Sequence, residues 1–437
     1  MKHPSLLLIA AAATAAMAMP AAAQDVAITH ARLVIGDGSA PIEDGTVVVR
    51  AGRVVAAGAG VSVPAGMDAI DAGGRWVTPG IVAGFTRLGI VEVDGVRSTD
   101  DSAAGDSPFH ASLDVAPAVN PLAMPVEINR AAGITRAVVA PATSDSIFAG
   151  QGAVIDLGRD RDAITKRHAF QFMEYGEDGA QEAGGSRPAA FAMFRNALLQ
   201  ARDYARDPDG YADQGKDALV NAYDAKALMP VAEGEVPLLV HVERASDILA
   251  LLDLKRELPK LKLVLVGASE GWTVADRIAA AGVPVIASAL NDLPAAFEKV
   301  AATQSNVGRM QAAGVTVALG TINDNDARQA RHEKQYAGNL VALTKVPGAT
   351  GLRWDQAFAS ITSGAAEAIG MADQIGSLRP GRHGDVVIWS GDPLELDSVA
   401  QTVFIDGVKQ PLETRQDKLR QRYMQPTEGS LPNAYER

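Results

Sequence analysis

Between residues 130 and 319 the chain repeats one pattern, a short apolar run rich in β-branched residues followed by a helical stretch. Arg130-Ala131-Ala132-Gly133-Ile134-Thr135-Arg136-Ala137-Val138-Val139-Ala140 reads as a helix end, a glycine turn and a buried strand. The same order returns at Leu238-Leu239-Val240-His241, Leu263-Val264-Leu265-Val266, Val283-Pro284-Val285-Ile286 and Val315-Thr316-Val317-Ala318-Leu319, with helical stretches such as 245–257 and 275–281 between them. Strands that are apolar along their length, with no alternation, need both faces covered, which points to a parallel sheet flanked by helices. Such a sheet closes into a (β/α)8 barrel or stays open and doubly wound. No GxGxxG or P-loop stands in a strand-to-helix setting, and Gly150-Gln151-Gly152 beside Ala153-Val154-Ile155 reads as a turn with no phosphate role.

The two ends have a different grammar. Residues 26–57 form a β meander, with Gly36-Asp37-Gly38, Glu43-Asp44-Gly45 and Ala51-Gly52 as its turns. A second β-rich run covers 385–389 and 402–405, turned by Asp406-Gly407. Neither set can bury a core alone, so the two are expected to join as one small sheet or sandwich. Residues 159–213 interrupt the barrel pattern. Phe191, Phe194, Leu198 and Tyr204 recur there at helical spacing after Pro188, which predicts a helical insertion packed on the barrel flank or lying over its mouth as a lid. Residues 413–437 read as a short helix and a tail.

Two phrases carry a family resemblance. Trp76-Val77-Thr78-Pro79-Gly80 resembles the lead-in to the first barrel strand of the metal-dependent amidohydrolase superfamily, in its imidazolonepropionase-like branch. Residues 362–370, followed by Ile375-Gly376-Ser377-Leu378-Arg379-Pro380-Gly381-Arg382-His383-Gly384-Asp385-Val386, resemble its "T-x-N-P-A … G-S-L-x-P-G-K-x-A-D-L-V" stretch, with Ser363-Gly364 in place of Asn-Pro. The resemblance implies a TIM-like barrel over 80–367, closed by a small β-sandwich domain built from 24–79 and 368–412.

The resemblance also implies a metal site, and this chain departs from it. The family places an aspartate and His-x-His after the Pro-Gly; here those positions hold Ala83, Phe85 and Arg87. Alanine and phenylalanine ligate nothing, and a guanidinium repels a cation. The strand 5 histidine survives as His241, the strand 6 histidine is replaced by Gly267, and Ile322 stands in the strand 8 aspartate's place, with Asp324 and Asp326 nearby. No strand 4 lysine is evident; Lys226 lies in a helical context. Zinc requires three or four protein ligands, so no metal is expected unless a shifted site recruits Asp324.

Two descriptions of the mouth follow. In one, Phe85 fills the metal cavity, His241 is a satisfied residual histidine, and Arg87 pairs with Glu270 or Asp324. In the other, Arg87, His241, Glu243, Glu270 and Asp324 line a polar pocket for a small anionic or zwitterionic ligand. Catalysis without metal would fall to His241, Glu270 and Asp324. A Ser269, His241, Asp324 triad can be drawn, but no G-x-S-x-G elbow supports it. The expected function is a non-metal binding or scaffold homologue. The alternative is hydrolysis of carbon–nitrogen bonds, in non-peptide or dipeptide amides, through a partial or shifted site. Among the remaining histidines, His30, His168 and His383 fall away from the mouth, and His110 and His332 are the two that could approach it.

Met1-Lys2-His3, the apolar run 6–19 and Ala21-Ala22-Ala23 read as a signal peptide cut before Gln24, implying export to a bacterial periplasm. The run is short and alanine-rich for a membrane anchor of about 20 residues, so no span is expected after cleavage. The chain has no cysteine, which excludes Cys-ligated zinc and a Cys nucleophile. Its formal net charge of -12, with no basic stripe, argues against nucleic acid. Self-association, or pairing with an active relative of the same superfamily, is the expected protein partnership.

Overall fold

The apolar runs become strands because β-branched side chains fit a pleated surface covered on both sides. The computed structural model describes residues 23–212, 218–289, 291–322 and 327–424; residues 1–22, which hold nearly all of the expected signal peptide, lie outside them. Five strands come first: β1 (Val26–Leu33), β2 (Ile42–Arg50), β3 (Arg53–Ala59), β4 (Asp68–Asp71) and β5 (Trp76–Pro79). The barrel sheet contains β6 (Ile81–Thr86), β7 (Ile134–Val139), β8 (Phe148–Asp156), β9 (Ile164–Glu174), β10 (Leu238–Val242), β11 (Leu263–Gly267), β12 (Val285–Ala287) and β13 (Val317–Leu319). The last three are β14 (Val386–Trp389), β15 (Ala400–Ile405) and β16 (Val408–Lys409).

The barrel strands follow one another in chain order from β6 to β13. The two edges meet: Thr321 N donates to Phe85 O at 3.1 Å, and a Cβ on Gly84 would stand 2.1 Å from Leu319 O. The fold is thus an α/β near-barrel of TIM type. One strand breaks the parallel order, because β8 runs antiparallel to both β7 and β9.

Segment 159–213 differs from the helical insertion expected of it. Its first part is β9, the fourth barrel strand, and helix begins only with Glu177–Glu182 and Arg187–Arg206. The charged residues that suggested an excursion, Arg161, Asp162, Arg167 and His168, lie on the exposed β8–β9 hairpin, while Ala169 to Met173 are buried. The long helix is built as its sequence implies. Ser186 caps it, Pro188 occupies its first turn, and Ala190, Phe194, Ala197, Leu198 and Ala201 face inward. It packs against helix Ala222–Ala232.

The chain ends do combine. Strands order as β16-β15-β14-β5-β1-β2-β3, with β4 branching from β1, in a single open sheet separate from the barrel. Trp389 seats it, its Nε1 donating to Thr78 Oγ1 at 2.9 Å. The indole passes so close to Gly133 that a Cβ there would stand 2.4 Å from the ring, and Gly133 has φ +92°. Both facts require glycine in that turn.

The base of the barrel holds a buried ionic cluster. Arg136, on β7, has a side chain 1% exposed and bonds Asp385 (Nε to Oδ2, 2.7 Å), Asp406 (2.7 Å) and Thr165 Oγ1 (2.6 Å). Burial alone would pull its pKa down, but Asp385, Asp406 and Asp156 outweigh that and hold it charged. His383 bonds Asp406 in the same cluster. Above it the lumen is apolar, filled by Val82, Val138, Phe170, Leu239, Val264, Ile286 and Ala318.

Candidate functional site

At the opposite end, β9, β10 and β11 finish beside one another, and each places a polar group at the mouth. His241 shares the inward parity of Leu239 one turn of the pleat below it, so its ring emerges just above the apolar lumen. Its Nδ1 lies 2.6 Å from Glu174 Oε2, and its Nε2 lies 3.1 Å from Glu243 Oε1. Two carboxylates accept from two ring nitrogens, which requires a proton on each. Burial would lower the imidazole pKa; Glu174 and Glu243 outweigh it and hold the pKa well above the usual histidine range. The arrangement favours the doubly protonated ring.

Glu243 is 0% exposed. Beside His241, it accepts from Ser269 N at 2.7 Å and pairs with Lys299 Nζ at 3.2 Å. Burial would raise its pKa, but the His241 hydrogen bond and charge, with Lys299 and Ser269, bring it down to about 2. Gly267 makes room for this carboxylate. It has φ +90°, and a Cβ there would stand 2.7 Å from Glu243 Oε1. The position that lacks the strand 6 histidine is therefore the wall of the Glu243 socket.

Phe85 and Ile322 complete the change. Phe85 is buried in the lumen core, edge-on to Phe172 at 5.1 Å, and Ile322 packs against the same core. Ala83 is buried in the outer core. Arg87 is half-buried; desolvation lowers its pKa, opposed by Asp100 and Glu174. The residues at the implied metal positions do not fit a metal. Both nitrogens of the one surviving histidine are engaged by carboxylates, and the space at two other positions is filled. Among the described residues, no group of three His, Cys, Asp or Glu side chains is arranged to hold one.

Several expectations change. Glu270 is not in the His241 network: its two carboxylate oxygens accept from Ala245 N and Ala301 N, both at 3.0 Å, so it staples neighbouring loops together. Asp100 and Glu174 act on the charge of Arg87; of the two partners expected for it, Glu270 is engaged elsewhere and Asp324 lies outside the described residues. Lys226 is exposed on helix Ala222–Ala232, and Glu174 takes the end of the fourth strand. Ser269 Oγ accepts from Asn291 Nδ2 at 2.7 Å, while both His241 nitrogens face carboxylates, so no Ser–His pair forms. His332 lies edge-on to Tyr336, and His110 lines a separate cleft of about 260 Å³ with Asp145 and Asp224. Asp324 and Asp326 lie outside the described residues. Glu174 and Lys299 were not foreseen. For Glu174 the signal was available in Ala169-Phe170-Gln171-Phe172-Met173-Glu174, a short, mostly apolar run ending in an acid; for Lys299 there was none.

A family model described as "Amidohydrolase family" matches residues 253–412. Imidazolonepropionase from Rhizorhabdus wittichii is 27% identical over 405 residues, covering 87% of this chain and 95% of that one. Amidohydrolase tasK from Hapsidospora irregularis is 25% identical over 380 residues; these are 78% of this chain but only 37% of that one. The crystal structure of an amidohydrolase from Thermotoga maritima MSB8 superposes with a TM-score of 0.76 at 22% identity, covering 88% of this chain and 99% of that one.

Proposed function

Because this chain belongs to the amidohydrolase superfamily yet lacks the family's metal cluster among its described residues, we propose that it is a metal-independent binding homologue. Its ligand is a small anionic or zwitterionic molecule, received at the mouth by Arg87 and Lys299 beside the His241 network. The observation that carries this reading is what occupies the implied ligand positions: Phe85 and Ile322 belong to the apolar lumen core, and Gly267 leaves its space to the Glu243 carboxylate. His241, the histidine that remains, has a carboxylate against each ring nitrogen.

Elemental analysis of purified protein from zinc-supplemented culture tests the reading. Zinc, manganese and iron are each expected well below one per chain. One or two firmly held ions per chain would refute it and favour the alternative, carbon–nitrogen bond hydrolysis at a shifted site that includes Asp324. The family itself is what supports that alternative. Periplasmic export is part of the proposal, checked by N-terminal sequencing of the envelope form for a start at Gln24. A protein partner is proposed as well, either a second copy or an active relative. It is supported by the exposed apolar residues Leu293, Phe297 and Val300 on the loop that also carries Lys299, with Phe297 91% exposed. Light scattering and affinity capture from envelope extract test it.

A further inference from the structure

A second cleft lies at the other end of the barrel, where β9, β10, β11 and β12 begin. Its volume is about 340 Å³, and Lys166, Lys255, Lys260 and Lys262 line it. These are four of the twelve lysines in the chain. A third of the lysines gathered on one cleft, in a chain of net charge -12, is a local concentration of positive charge. Glu235 and Glu367 also line it and Glu233 pairs with Lys260, so four ammonium groups meet three carboxylates.

The lysines differ in what they already hold. Lys260 pairs with Glu233 at 2.6 Å. Lys255 Nζ donates to Leu261 O at 2.9 Å, and Lys262 Nζ to Glu235 O at 3.4 Å. A carbonyl positions an ammonium without cancelling its charge, and it leaves two N–H donors for a ligand. Lys166, on β9, is half-buried, and among the described residues its ammonium makes no hydrogen bond or ion pair. Beneath the lysines the lining is apolar: Pro237, Leu263, Val264, Pro284 and Ile369. Val264 and Ile369 belong to the lumen core, so the floor is part of the folded framework.

We propose that this cleft binds an amphipathic anion, a carboxylate or phosphate monoester on a short apolar tail. The headgroup meets Lys166 and Lys255, and the tail lies on Pro237, Val264 and Ile369. At about 30 Å³ per heavy atom, the share of a liquid water molecule, the cleft takes roughly ten such atoms. Lys166 and Glu174 are eight residues apart on one strand, roughly 25 Å, so this site is distinct from the mouth.

Isothermal titration with hexanoate and hexyl phosphate tests the proposal, with hexanol and hexylammonium as controls. At least one of the two anions binds at a site that the lysine substitutions weaken, separate from any binding at the mouth, and the tighter of them identifies the headgroup. Hexanol binds far more weakly and hexylammonium not at all. The double variant K166Q/K255Q, whose thermal midpoint should match the parent, weakens anion binding by about tenfold, as the loss of two partly exposed charge contacts implies. The single variant K166Q weakens it by a smaller factor, and R87Q at the mouth leaves it unchanged. The proposal fails if neither anion binds, if hexanol binds as tightly as hexanoate, if the lysine variants keep full affinity, or if R87Q abolishes binding.

Discussion

Replacing Glu243 by glutamine keeps the shape of the side chain and removes its charge, so E243Q isolates the electrostatics of the mouth. In the folded protein the carboxyl titrates near 2, against 4.5 for an unperturbed glutamate. Since each pH unit is worth about 1.4 kcal/mol, the folded state gains about 3 kcal/mol from this ionisation. Direct reasoning gives a similar size: removing one member of a buried pair strands the others, here His241 and Lys299, at roughly 3–5 kcal/mol. The sign follows from linkage. A carboxyl whose folded pKa is depressed contributes stability that is complete above its unfolded value and is lost as pH falls through the folded one. Denaturant unfolding of parent and E243Q, measured in parallel from pH 7 to pH 2.5, is therefore expected to differ by about 3 kcal/mol at neutral pH. The difference should shrink steadily below about pH 4.5. A difference under about 0.5 kcal/mol at pH 7, or one that does not change with pH, would show that Glu243 is neither ionised nor engaged as described.

Other substitutions test separate parts of the same design. F85H, which restores a histidine where the family has one, should lower stability by roughly 2–5 kcal/mol through lost packing on Phe172 and an unpaired polar group in the lumen, with no gain of bound zinc; a thermal midpoint equal to the parent's refutes it. G267A should cost about 1–3 kcal/mol in backbone strain alone and further displace Glu243, readable as a lower midpoint and a raised apparent pKa in acid unfolding; a neutral outcome would mean that Gly267 is not the socket wall. D385N should destabilise by about 3 kcal/mol or more, because it removes the more buried of the two carboxylates that Arg136 contacts at 2.7 Å; equal denaturation midpoints for D385N and parent would refute the buried cluster.

How legible these features were depends on what each strand exposes. β7, β10, β11, β12 and β13 are buried on both faces, so they read directly as apolar runs. β9 did not, because its first half lies in an exposed hairpin and is charged. The direction of β8 was also encoded, in the lengths of its connections. Residues 140–147 and 157–163 are too short for the crossover a parallel neighbour needs, and antiparallel pairing is what short links allow. At the mouth, the missing ligands Phe85, Gly267 and Ile322 could be counted from sequence, but what replaced them could not. Glu174 was hidden with its strand. Lys299 reaches Glu243 from a loop whose Phe297-Glu298-Lys299 reads as ordinary surface. Glu270 has the right residue type in the right loop, yet two backbone amides claim its oxygens, and only coordinates reveal that kind of competition.

The ionic cluster at the barrel base also sets an order of events during synthesis. Arg136 emerges early, but Asp385, one of its two closest partners, follows 249 residues later, and Asp406, the other, later still. The barrel can close only once β13 has been made, so the interval that matters runs from Leu319 to Asp385, on the order of several seconds at ordinary translation speeds. Through it, a nascent barrel that closed would trap a guanidinium with only Asp156 and Thr165 for company, and desolvating that charge opposes closure. The final strands thus act as a timer as well as a lid for the base: the barrel has reason to remain open until the whole chain has been made.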